Sequence, residues 1–190
     1  MTAIAAILSR LRGSVAELAR DCRGLAATEF ALIVPLMLVL FFGTVEFSSG
    51  VAVDRKVTLM AHTLSDLTSQ SPSVTDTDLT NFFAAGKGIM APYPATPTNA
   101  TITELYVDPK TLAARVQWSR GAAPISGTVS IPPALQVGGS YLIYSQVDYT
   151  YKPTIGYVMG KSGIKLSDVS YTRPRQSSCV MYKTTVCTTN

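Results

Sequence analysis

Gly24-Leu25-Ala26-Ala27-Thr28-Glu29-Phe30-Ala31-Leu32-Ile33-Val34-Pro35, then Leu36 to Val45, then Glu46-Phe47, is the stretch from which the rest of the chain is read. No residue from Phe30 to Val45 is charged, and a carboxylate stands at each end. As an α-helix those residues rise about 24 Å, short of the roughly 30 Å hydrocarbon core of a bilayer. Adding Leu25 to Thr28 closes the gap and places Glu29 inside or at the edge of the membrane. An ionisable group there is expensive and usually has a partner. The plainer alternative is that Glu29 marks the boundary and snorkels to water. Pro35 removes a backbone hydrogen bond within the apolar helix, so a kink or local unwinding is expected, tolerated in lipid where neighbours re-satisfy the freed carbonyl. Gly43, Ser48, Ser49 and Gly50 are small enough for close helix packing or for a flexible exit.

Before this stretch, Ile4, Ile7, Leu8, Leu11, Val15 and Leu18 fall at the spacing of an amphipathic helix lying on the inner leaflet. Arg10, Arg12, Arg20 and Arg23 accompany it, against Glu17 and Asp21, and hold the N-terminus cytoplasmic by the positive-inside rule. The net charge of +4 is therefore uneven. Removing that leader leaves 12 basic and 10 acidic residues, with no basic stripe interleaved with aromatics, so nucleic-acid binding has no support. A conventional signal peptide is a rival reading, with Ser48-Ser49-Gly50 as its small-residue cleavage site.

Beyond the stretch, Val53, Val57, Met60, Ala61, Leu64 and Leu67 step by three and four, so a helix is predicted from about 25 to 70, continuous or hinged near Gly50. Ser71-Pro72-Ser73 ends it. A short second helix follows from Thr75 to Phe83, capped by Ser73 or Thr75 and stopped by Gly86-Lys87-Gly88, with Pro92, Pro94 and Pro97 as an extended connector. From Ala100 the period is two. Thr101–Val107 and Leu112–Trp118 flank the turn signal Asp108-Pro109-Lys110 and read as a β-hairpin. Thr128–Ile131 is a short strand, and Tyr141–Tyr151 the clearest one. Its odd positions carry Tyr141, Ile143, Val147, Tyr149 and Tyr151, an aromatic row expected to pack on a helix or loop, with a binding face as the alternative. Ile164–Tyr171 is a further strand. The fold class is α+β: a long N-terminal helix, then a small domain with a short helix and an antiparallel sheet. The expected divisions are a leader at 1–24, a span at 25–47, an amphipathic continuation at 48–70 and an exported domain at 71–190.

Cys22 lies in the leader, on the reducing side. Cys179 and Cys187 lie on the exported side at a spacing that suits a small disulfide loop, pinning a tail rich in Ser, Thr and Arg. Metal binding would need two more ligands, and the one histidine, His62, is far off in sequence; it reads as a partly buried packing residue. No Ser/His/acid set or carboxylate cluster supports an enzyme, and no cofactor is expected.

Arg23-Gly24, then Glu29-Phe30-Ala31-Leu32, Pro35, the apolar run, Gly43 and Glu46-Phe47 resemble the TadE-like segment that opens minor pilins and pseudopilins of the tight-adherence (Tad) pilus system. The resemblance covers about 23 to 61. It implies a cut by a prepilin peptidase at Gly24–Leu25, where glycine lets an extended backbone into a narrow site. It also implies that Glu29, the fifth residue after that cut, pairs with the new amine of a neighbouring subunit, with Phe30 and Pro35 in the same assembly segment. The implied partners are other pilin or pseudopilin subunits, the inner-membrane assembly platform and membrane lipid. The implied location is the bacterial inner membrane, single-pass, with the C-terminal domain periplasmic or carried into a pilus. An uncleaved, single-span binding or assembly protein of the same system is the alternative.

Overall fold

The computed structural model describes residues 24–153 and 163–187. The expectations for the leader, including its amphipathic helix and Cys22, lie outside the described residues. The chain divides into two compact units, with the boundary between Val45 and Glu46.

Helix α1 spans Leu25–Ser69 and contains Pro35. Neither Pro35 nor Gly50 interrupts it, so the local unwinding expected at the proline does not break the helix. In the first unit its side chains face outward: Phe30, Leu32, Leu36 and Phe41 are all more than half exposed. Thr44 turns its hydroxyl back to the Leu40 carbonyl at 2.8 Å, satisfying it locally.

The second unit opens with the rest of α1. Val53, Val57, Met60, Ala61 and Leu64 are fully buried at the spacing the sequence predicts, each contributing on the order of 1–3 kcal/mol of apolar transfer. Strand β1 (Ser73–Val74) leads to helix α2 (Asp76–Ile89). Thr75 is its N-cap: the Thr75 hydroxyl accepts from the Asp78 N–H, and the Asp78 carboxylate accepts from the Thr75 N–H at 2.9 Å. The expected stop at Gly86-Lys87-Gly88 is wrong, because α2 runs through it. Gly86 is buried against α1, where a Cβ would lie 3.0 Å from the Met60 Cε and 3.2 Å from a Leu64 methyl. The missing side chain lets the helices close on each other, and that packing outweighs glycine's poor helix propensity.

Five strands follow: β2 (Thr98–Val107), β3 (Ala114–Gly121), β4 (Thr128–Val129), β5 (Tyr141–Tyr151) and β6 (Ile164–Thr172). They form an antiparallel sheet in the order β4-β3-β2-β5-β6. The odd face of β5 packs on α1 as read: Ile143, Val147, Tyr149 and Tyr151 join the α1 stripe in one core. The Ser145 hydroxyl donates to the Ala61 carbonyl at 2.5 Å. Leu142 and Tyr144 turn to a second core with Leu105, Val107, Ala114 and Ile131. Along β3 the faces should alternate strictly, yet Trp118 enters the first core while Ala114 and Val116 enter the second. A bulge accounts for it: Glu104 pairs with Trp118 and Leu105 with Val116, leaving Gln117 as the extra residue.

The tail does not hang from the domain. Strand β7 (Met181–Tyr182) pairs in parallel with β1, and Cys179, Val180 and Tyr182 are buried. Cys179 and Cys187 form a disulfide with Cα atoms 6.0 Å apart. The tail is thus part of the core. His62 departs from expectation in the other direction: it is exposed, with Nδ1 2.9 Å from the Ser170 hydroxyl.

Candidate functional site

The first unit gathers the residues that the sequence singled out for processing and assembly. Gly24 is exposed, with open space where a Cβ would stand, and Leu25 begins α1. Glu29 is exposed one turn further on, Phe30 is 69% exposed beside it, and Pro35 is exposed one and a half turns later. From there to Val45 nearly every large side chain faces outward. Leaving one such side chain in water costs about 1.5–3 kcal/mol relative to burying it. Eleven of them between Phe30 and Val45 make water an unfavourable surrounding, and the segment calls for lipid or for other apolar helices. Among the described residues, α1 is the one helix long and apolar enough to cross a membrane.

Cys179 and Cys187 belong to a different place, the second unit, where Cys179 is buried and Cys187 is half-buried. Their role is to hold the tail. The Trp118 indole N–H donates to the Val180 carbonyl at 2.8 Å, and the Val180 N–H donates to the Glu104 carboxylate at 2.5 Å. Two side chains of the sheet thus grip both polar groups of one tail residue. Burial pushes the Glu104 carboxyl up to about 7, against the opposing hydrogen bonds from Val180 and Trp118. Tyr182 stacks on Trp118 and takes the Arg120 guanidinium over its ring, 4.5 Å from the centroid. Sequence reading missed Glu104, because a carboxylate in an alternating strand reads as solvent-facing and its partner is distant in sequence. It also missed that Glu46, the first residue of the second unit, turns inward to 3% exposure while Phe47 stays 62% exposed. Burial raises the Tyr151 phenol, and the Glu46 charge raises it further.

The hydroxyl cluster about His62 has the residue types of nucleophilic chemistry without its arrangement. Ser170 is buried and shares its hydroxyl with Ser65 at 2.9 Å as well as with His62. Asp66, one turn from His62, is tied to Arg175 at 2.5 Å and to Gln70 at 2.6 Å. The open cavity there, about 340 Å³, is a surface groove between α1 and the end of β6. Among the described residues, no three His, Cys, Asp or Glu side chains converge to hold a metal.

The fold and this segment define a class: a protein with a membrane-type N-terminal helix whose second half is built into an α+β domain. Residues 24–63 match the family described as TadE-like protein. The match begins at Gly24, covers the whole exposed apolar run, ends within the buried stripe of α1 and includes none of the sheet. It points to a pilin-like protein related to the Tad pilus. No curated protein and no solved structure matches the chain.

Proposed function

We propose that the chain is a minor pilin or pseudopilin subunit of a Tad-type pilus, cut by a prepilin peptidase between Gly24 and Leu25 and held in the inner membrane by its apolar helix until assembly. The observation that carries this reading is the coincidence of the TadE-like match with a helix whose apolar side chains are left outward. A cut at that bond places a new amine at Leu25, four residues before Glu29. Neither charge is comfortable in lipid alone, and the amine of one subunit compensates the carboxylate of the next. The cut also removes the leader arginines, which oppose extraction from the membrane. The disulfide and the α+β core then serve an exported, non-catalytic domain.

Glu29→Ala is the direct test. The reading expects normal membrane residence and processing with few or no surface pili, scored by fractionation and by shearing pili from cells. Pili at wild-type level would remove the role given to Glu29. Gly24→Ala is expected to slow processing while leaving insertion intact, seen as accumulation of the longer form in the membrane fraction.

A further inference from the structure

Two cavities share Tyr151 as a wall. One, about 230 Å³, is almost wholly apolar and is lined by Phe47, Val51, Asp54, Ile164 and Leu166 with Tyr151. The other, about 250 Å³, is lined by Tyr93, Pro94, Pro97, Tyr149 and Lys152 with Tyr151. Strand register fixes where they lie: Thr98 pairs with Tyr149 and Tyr151 with Ile164, so both cavities open at one end of the sheet. The β2–β3 turn and Val137 lie at the opposite end, where the Gly139 N–H reaches the Val107 carbonyl. Phe47, Val51 and Lys152 are exposed, and the Lys165 side chain, 73% exposed, forms an ion pair with Asp148 at 3.6 Å that water reaches.

Apolar walls, tyrosine rings and lysines on one rim are the composition of a membrane–water interface, where aromatic bodies sit at headgroup level and lysine stems reach out to phosphate. Chain length points the same way. Phe47 follows the last residue of the uncharged run by two positions. Val45 to Val51 is about 9 Å of helix, comparable with a headgroup layer of roughly 6 Å. We infer that this end of the α+β domain is a bilayer-contact face whose partner is phospholipid: Phe47, Val51 and Leu166 dip into the interface, and Lys152 and Lys165 meet the phosphates. Asp54 on the same wall suits the cationic part of a zwitterionic headgroup, so a zwitterionic phospholipid matches both signs of charge. The inference rests on the reading of the apolar helix as a membrane anchor, and it adds a second, peripheral contact made by the folded domain.

The test uses the full chain in phosphatidylcholine vesicles, in a Cys22→Ser background, with single fluorescent labels at Leu166→Cys, Val51→Cys, Val137→Cys and Leu36→Cys. Nitroxides carried near the headgroup should quench the labels at Leu166→Cys and Val51→Cys about threefold more than the label at Val137→Cys. Equal quenching at all three positions overturns the inference. So does protection from aqueous iodide that grows with protein-to-lipid ratio without nitroxide quenching, which assigns the face to a second copy. The label at Leu36→Cys separates the two levels. If it reports deep lipid while that at Leu166→Cys reports water, the contact face falls and the anchor stands; if it too reports water, both fall.

Discussion

The two halves of α1 belong to one uninterrupted helix, yet their side chains have opposite surroundings. Phe30, Leu32, Leu36 and Phe41 are more than half exposed, whereas Val53, Val57, Met60, Ala61 and Leu64 are at 0%. The difference lies in patterning. After Val51 the buried apolar residues keep to one stripe, with Asp54, Arg55, Leu59 and His62 on other faces, and a single stripe can be covered from one side. Before Val45 they go all round the helix, which nothing on one side can cover. The first half therefore asks for a surrounding medium or several neighbours, and the second half finishes its packing within the chain.

That contrast gives the largest predicted effect. Leu64→Ala should destabilise the domain by about 3–5 kcal/mol, because the cavity between α1 and α2 cannot close. Leu36→Ala should change domain stability by less than about 0.5 kcal/mol. Urea unfolding of the detergent-solubilised protein, followed by tryptophan fluorescence, compares them through the core residue Trp118. Equal losses would break the division into two differently supported halves.

The next effect sharpens the account of the second half. The folded Glu104 carboxyl, raised to about 7 from 4.5, binds its proton more tightly than in the unfolded chain. Its favourable contribution is full below about pH 4.5 and is lost as pH rises through about 7. The difference across that window is on the order of 3 kcal/mol. Unfolding midpoints should fall over that range in the wild type, and Glu104→Gln should flatten the slope.

A smaller loss, about 2 kcal/mol, is expected for Cys187→Ser from loop-closure entropy in the unfolded chain. Reduction should give the same loss in the wild type and none in the variant. Neither treatment should alter membrane retention, which belongs to the first half of α1.

What the sequence made legible was local. The stripe from Val53 to Leu64 and the alternation from Tyr141 to Tyr151 are periodicities within one element, and both were read correctly, the strand to the residue. The apolar run from Phe30 to Val45, which the TadE-like match covers, was legible for the same reason, as a contiguous stretch. What escaped reading depended on distant partners. Helix α2 passes Gly86 because Met60 and Leu64 fill the space a side chain would need. The β1–β7 pair joins two-residue strands from the two ends of the domain, too short to carry a pattern. Trp118 changes face through one extra residue, Gln117. Glu104 is buried because Val180, 76 residues away, supplies its hydrogen bond.

The central claim is that the exposed apolar helix becomes an assembly segment when the chain in front of it is removed. N-terminal sequencing and intact mass of the protein extracted from its native membrane test this most directly. The account predicts a mature chain beginning at Leu25, with Glu29 as its fifth residue. A mature chain that keeps Met1, or one that begins near Val51 without the apolar run, would contradict it.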